Sequence, residues 1–391
     1  MKELKVIVLM FIVLLLTACS KNEDSPEETQ PVINVYVYSP EHPVITRGDV
    51  GNVNPIDNIL NESLINSLQI WVFEHKTGTL VSYYEPETVR NLNDEKGVTY
   101  QLNVSDDFAN AKPKPNVDVY VVANVASCGL SFNDQTTRDL LEGALIGTDH
   151  FGLSSLTTTV PKDGLPMSGV LRDVAVTGSA PVFKISSVKL TRAVSKVRFI
   201  FSRDNAKEIR ITNIKLAGSM IPTAEYLFLL YDLYRVLQDN EGKTVYVSGD
   251  TECLPHTQNE EPQPVEICMN SDPLAYTYQP GQNAQEYETL INNGVTSGLL
   301  TQVGPFYLRE SDKILEGTIY FQVGTKNEGN TTWEETVKTA TFSMKAAGDF
   351  SRNHTWIVYA YYGVDGMQVI TVYSQEWHEM STTQPHNVYN W

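Results

Sequence analysis

Residues 117–125 read VDVYVVANV, a near-continuous apolar run bounded by Pro115 and Gly129. A short Val-rich run with such boundaries suits a buried central β-strand. The same punctuation recurs along the chain. Ile33, Val35 and Val37 alternate with Asn34, Tyr36 and Tyr38 until Pro40 and Pro43 stop the run. Residues 68–73 and 80–84 flank Lys76-Thr77-Gly78, which predicts a hairpin. Further strands are expected over 182–190, 194–201, 208–216, 318–323 and 337–344. A last hairpin pairs 355–362 with 367–373 across Val364-Asp365-Gly366. One helix is predicted over 135–146, with Asp134 as its N-cap and Gly147 after it. Residues 224–238 are apolar on so many faces that a helix and a strand pair both fit. The balance of 41% hydrophobic to 19% charged residues, with 20 Tyr, belongs to a folded β-rich protein. At 391 residues two or three domains are expected. The reading is an all-β chain with few short helices, arranged as two sandwiches that meet near residues 185–195, without internal repeats.

The opening residues predict export. Lys2 and Lys5 precede an apolar run over 6–16, shorter than the roughly 20 residues of a membrane-spanning helix and fitting a signal peptide. Leu16-Thr17-Ala18-Cys19 looks like a lipobox, so residues 1–19 read as a lipoprotein signal with Cys19 as the lipidated residue. Residues 20–30, SKNEDSPEETQ, are polar and acidic and read as a flexible tether.

A formal charge of −18, from 47 acidic and 29 basic residues, excludes a nucleic-acid partner in the absence of a basic patch. Of the cysteines other than Cys19, Cys253 and Cys268 are close enough in sequence to bridge in an oxidising compartment, without being required to. The histidines lack ligand spacing, so no metal or cofactor is expected. GxSxG, P-loop, GxGxxG and EF-hand patterns are absent. Acid pairs such as Glu334 with Glu335, or Asp106 with Asp107, read as solvated turns. Arg47-Gly48-Asp49 is read not as an integrin motif but as a basic residue in a Pro-flanked, extended linker open to a trypsin-like protease.

Several separated segments resemble one family, the fimbrillins of Bacteroidales that build type V pili. Pro166-Met167-Ser168-Gly169 and then residues 188–197, VKLTRAVSKV, are similar to a stretch of that family. Residues 119–124 (VYVVAN), 306–310 (FYLRE) and 351–356 (SRNHTW), with Trp377 and Trp391 bracketing a tail, continue the resemblance in order. It implies two tandem transthyretin-like or Greek-key sandwiches, over 48–190 and 191–377. It further implies a lipoprotein precursor at the outer membrane and an arginine-specific protease that cuts after Arg47. The leader, 20–47 beyond the lipid-bearing Cys19, would carry a removable first strand with Ile33, Val35 and Val37. The tail 378–391, with Met380, Val388, Tyr389 and Trp391, is the candidate donor strand for a neighbouring subunit. The resemblance thus implies a non-enzymatic pilus subunit, a stalk or tip rather than an anchor, whose partners are other subunits and a surface ligand. The alternative is a surface glycan-binding lipoprotein using Trp71, Trp333, Tyr276 and Tyr278; a hydrolase without signature is the remaining rival.

Overall fold

The computed structural model describes residues 30–38, 62, 64–89, 97–147, 149–152, 157–203, 207–216, 221–230, 234–238, 244–248, 265–268, 300–344 and 346–376. It is a nearly all-β protein of stacked sheets. The first eleven strands are β1 Val32–Tyr38, β2 Leu68–Glu74, β3 Leu80–Tyr84, β4 Val98–Asn103, β5 Val117–Ala123, β6 Leu145–Ile146, β7 Met167–Val174, β8 Thr177–Ser179, β9 Val182–Lys184, β10 Val188–Lys189 and β11 Thr191–Arg192. One sheet runs β10-β1-β9-β8, with β4 on the other edge of β1, and a second runs β11-β7-β5-β2-β3. Their facing residues form one core, Ile33, Val35, Val37, Leu102 and Phe183 from the first against Leu68, Ile70, Val72, Val119 and Val121 from the second.

The remaining strands are β12 Ser195–Arg203, β13 Glu208–Leu216, β14 Glu225–Tyr226, β15 Tyr234–Gln238, β16 Thr244–Ser248, β17 Val265–Cys268, β18 Thr301–Leu308, β19 Glu316–Asn327, β20 Asn330–Trp333, β21 Lys338–Ser343, β22 His354–Gly363 and β23 Gly366–Glu376. Sheet β18-β12-β22-β23 faces sheet β17-β13-β19-β20, where β21 also pairs with β19. Between them lies a second core around Phe199, Phe321, Phe342 and Trp356. The β22–β23 turn closes on the pair Gly363 and Gly366, as the hairpin signal predicts.

β5 is buried throughout, Asp118 being its one polar residue, because both of its faces are covered. Val119 and Val121 face the sandwich core, while Tyr120 and Val122 face a third cluster with Trp71, Phe73, Leu141, Leu227 and Phe228. Part of that cover comes from later in the chain. Residues 221–230 follow β13, yet β14 pairs with β6, and the Phe228 ring meets Tyr120 edge-on at 5.3 Å. The first part of the ambiguous apolar segment is therefore a clasp laid back across the N-terminal sandwich, while its end, β15, pairs antiparallel with β16. The chain itself passes from one sandwich to the other between Arg192, paired in β11, and Ser195, which opens β12.

The helix expected over 135–146 is shorter than its pattern. Only α2, Arg138–Glu142, is helical there, capped by the Thr137 side chain and ended at Gly143. Leu145–Ile146 pairs instead with the clasp, which offers those residues a ladder that a longer helix would forgo. Among the described residues the other α-helix, α1, is Asp106–Asn110, where Asp106 and Asp107 occupy the first turn behind the N-cap Ser105. Strands over Val98–Asn103, Met167–Val174 and Thr301–Leu308 add to those expected from the pattern. Among the described residues no helix is long and apolar enough to cross a membrane.

Candidate functional site: the slot around the first strand

β1 is not an edge strand. On one side it runs antiparallel to β4, from Val32 opposite Asn103 to Val37 opposite Val98. On the other it runs parallel to β9, from Val32 opposite Val182, and to β10, with Tyr38 opposite Lys189. The period of two sends Ile33, Val35 and Val37 into the core, each at 0% exposure, while Asn34, Tyr36 and Tyr38 stay half-buried on the outer face. Main-chain bonds tie down both ends. Val32 N–H donates to Pro181 O at 2.8 Å, and Leu190 N–H donates to Tyr38 O at 2.8 Å.

Burying three such side chains contributes roughly 1.5–3 kcal/mol each. That total is comparable to the roughly 5–15 kcal/mol that holds a whole domain. An empty slot would also expose two sheet edges at once. On the outer face the Tyr36 and Tyr38 rings stack at 6.0 Å between centroids. Tyr36 lies over Gly97, which has φ +138° and where a Cβ would stand 2.6 Å from the ring's Cζ. Only glycine suits that position, and an aromatic ring on β1 covers the space it leaves.

Tyr38 and Glu62 bracket residues 39–61, and both are held by the short strap between β10 and β12. Tyr38 O takes its bond from Leu190 and Glu62 O takes one from Arg192 Nε at 3.1 Å. The Glu62 carboxylate is itself buried. Oε2 meets Lys196 Nζ at 2.7 Å and Oε1 accepts from the Tyr307 hydroxyl at 2.6 Å, so the chain just ahead of β2 is pinned to β12 and β18 of the other sandwich. No sequence signal marked Glu62. A second buried pair lies nearby, with Arg352 donating to Glu310 Oε1 from Nε at 2.9 Å and from Nη2 at 2.6 Å. Arg352 also donates to Leu227 O and Tyr226 O in the clasp. Burial alone would lower the Arg352 guanidinium, but Glu310 and then Glu225 outweigh it and raise it. Glu225 is pushed up, first by burial and then by Glu310, against the pull of Arg352.

The segments that carry the family resemblance reach both the slot, where Val188 and Lys189 pair with β1, and this junction. Ser168 donates to Leu227 O at 2.6 Å, Arg192 Nη1 donates to Asn353 Oδ1 at 3.1 Å, and Glu310 and Arg352 are the pair just described. Asn124, at φ 58°, donates to Leu64 O and Leu165 O and accepts from Asn66 N.

Other candidate chemistry resolves into structure. Among the described residues no group of three His, Cys, Asp or Glu is placed to hold a metal. His75 Nδ1 lies 2.7 Å from buried Asp118, but its Nε2 faces the Asp173 carboxylate at 3.8 Å, and Arg138 and the Asp173 N–H complete a pinned turn. Cys128 is buried and its thiol is pushed up to about 12 by that burial, which leaves it a poor nucleophile. Trp71 is fully buried and donates to Asn133 O. Trp333 is half-buried, with the Arg210 guanidinium 4.5 Å from its ring centroid and Gly324 packed close by. Glu334 forms an exposed pair with Lys338. Cys268 falls in β17; Cys19, Arg47, Cys253, Tyr276, Tyr278, Met380, Val388, Tyr389 and Trp391 lie outside the described residues.

Residues 46–197 match the family model for the major fimbrial subunit protein (FimA), which supports a fimbrillin-family assignment. The match begins beside Arg47 and leaves β1 outside it. No curated protein sequence matches the chain. Among solved structures it is similar to a provisionally assigned cell adhesion protein from Bacteroides eggerthii DSM 20697, at 12% identity over 89% of this chain and 96% of that one, TM-score 0.46. It is also similar to one from Parabacteroides distasonis ATCC 8503, at 15% identity over 89% and 96%, TM-score 0.43. The tip fimbrial protein Mfa3 from Porphyromonas gingivalis, with C-terminal truncation, aligns at 12% identity over 89% and 100%, TM-score 0.45.

Proposed function

We propose, from the premise of a fimbrillin-type chain, that this protein is a subunit of a cell-surface pilus assembled by strand exchange. The observation that carries the reading is β1, a central strand paired on both edges that precedes Arg47 in sequence. In the precursor, lipid on Cys19 holds the protein at the outer membrane while β1 fills its own slot. A trypsin-like or arginine-specific protease cuts after Arg47, in a segment whose flanks at Tyr38 and Glu62 are both tied to the strap. The cut frees β1 from its covalent tether, so that a strand from another subunit competes for Ile33, Val35 and Val37's places. Residues 378–391 are the donor for the next subunit. Cleavage favours a stalk or tip role over that of an anchor, which would keep its lipid.

Purified protein carrying the leader is expected to stay monomeric, and the same protein cleaved after Arg47 is expected to form strand-linked oligomers on size exclusion. Truncation after Trp377 should abolish assembly without lowering the stability of the uncleaved monomer. A cleaved protein that never oligomerises, alone or with other subunits from the same cells, would sink the reading. In cells, palmitate label should vanish in Cys19→Ala, and its persistence would remove the lipoprotein step.

A further inference from the structure

The strand-exchange reading leaves open how the tail would sit in the slot, and the two sequences answer it. β1 ends Asn34-Val35-Tyr36-Val37-Tyr38; residues 387–391 read Asn387-Val388-Tyr389-Asn390-Trp391. Three consecutive identities are followed, two places on, by a second aromatic residue. We propose that residues 387–391 enter the slot of a second copy in the register and direction of Asn34–Tyr38.

In that register Val388 takes the central place of Val35, which is fully buried and paired with Tyr100 of β4. Tyr389 takes the place of Tyr36 and supplies the ring that covers Gly97, a requirement set by the Gly97 backbone and not by the apolar pockets. Trp391 replaces Tyr38 and restores an aromatic pair two residues apart on the outer face, where Tyr36 and Tyr38 stack at 6.0 Å. Frames using Met380 offer only Thr382 and Gln384 at the next inward positions. The match has defects. His386 and Asn390 fall on the Ile33 and Val37 places, both fully buried in β1. Pro385 falls on Val32 and lacks the N–H that now donates to Pro181 O at 2.8 Å, though the first residue of a strand tolerates proline. The tail is thus a weaker copy of the strand it displaces, so exchange between identical subunits depends on an excess of donor over the released leader.

The test uses protein nicked after Arg47, with the leader retained by pairing, and reads release of the leader by mass spectrometry after size exclusion. Three synthetic peptides covering 378–391 are compared with one covering 30–38. The native tail peptide is expected to displace the leader, Val388→Asp to fail, and Asn390→Val to bind at least roughly tenfold more tightly because it fills the Val37 pocket. Equal displacement by Val388→Asp, or no gain from Asn390→Val, overturns the register. Exchange by the 30–38 peptide with none by the native tail overturns the tail as occupant while strand exchange stands. Failure of the 30–38 peptide as well overturns strand exchange itself.

Discussion

The Glu62 carboxylate joins a buried ammonium and a phenol from the other sandwich, and such groups are costly to strand. Truncating it leaves Lys196, itself 1% exposed, without that carboxylate, a loss of about 3–5 kcal/mol by the usual cost of breaking a buried pair. Glu62→Ala is expected to lower the thermal midpoint clearly, read by differential scanning fluorimetry, whereas Glu334→Ala at the exposed pair with Lys338 should shift it little. Glu225 makes a pH-dependent case. Its folded carboxyl is raised above the ordinary 4.5, so its contribution is present in full below that value and is lost as pH climbs through the folded one. Glu225→Gln retains an acceptor for the Glu310 N–H and cannot ionise. In urea it should outlast wild type at pH 8, with the two curves converging toward pH 4; a constant gap would refute the assignment.

Among the elements, β1 and the clasp differ in how far their sequences announce them. Alternation of Ile33, Val35 and Val37 showed a strand with one buried face. Its double pairing was not legible, because β9 and β10 lie far along the chain and parallel partners leave no local turn signal. Gly97 escaped notice because its requirement is a ring arriving from another strand. The clasp resisted assignment for a physical reason. Leu227, Phe228 and Leu230 cover a sheet face instead of building a sheet, so neither period of two nor of 3.6 is imposed on them. Tertiary cover also shortened α2, since Leu145 and Ile146 pair with the clasp. Two predictions belong to this scale. Val35→Asp should weaken β1 enough for the nicked leader to dissociate on size exclusion. Phe228→Ala, which removes a ring at 1% exposure against Tyr120, should cost about 3–5 kcal/mol and be read as faster amide exchange in β5, a strand of the other sandwich.

At the scale of the whole molecule, the third hydrophobic cluster makes the two sandwiches interdependent. It joins Trp71 and Tyr120 to Leu227, Phe228 and Tyr307, which lie beyond Arg192 in the chain. One calorimetric transition is expected rather than two. A fragment ending at residue 194 should bind a hydrophobic dye, because it lacks the cover that residues 221–230 lay over its second sheet. Two resolved transitions would contradict this coupling. The sequence resemblance includes Arg192 and Arg352, of which Arg192 bonds Asn353 of the other half and Arg352 holds the clasp.

The clasp also has a mechanical consequence. In a fibre, tension would enter each subunit at the β1 slot and leave through the chain beyond β23, with the junction in the line of pull. A junction crossed only between Arg192 and Ser195 would swivel under modest load. Here a bend would have to lift Leu227 and Phe228 off the sheet and part Glu62 from Lys196 and Tyr307, so that, if the proposed assembly holds, each subunit would transmit force as a stiff rod and the compliance of the fibre would reside between subunits.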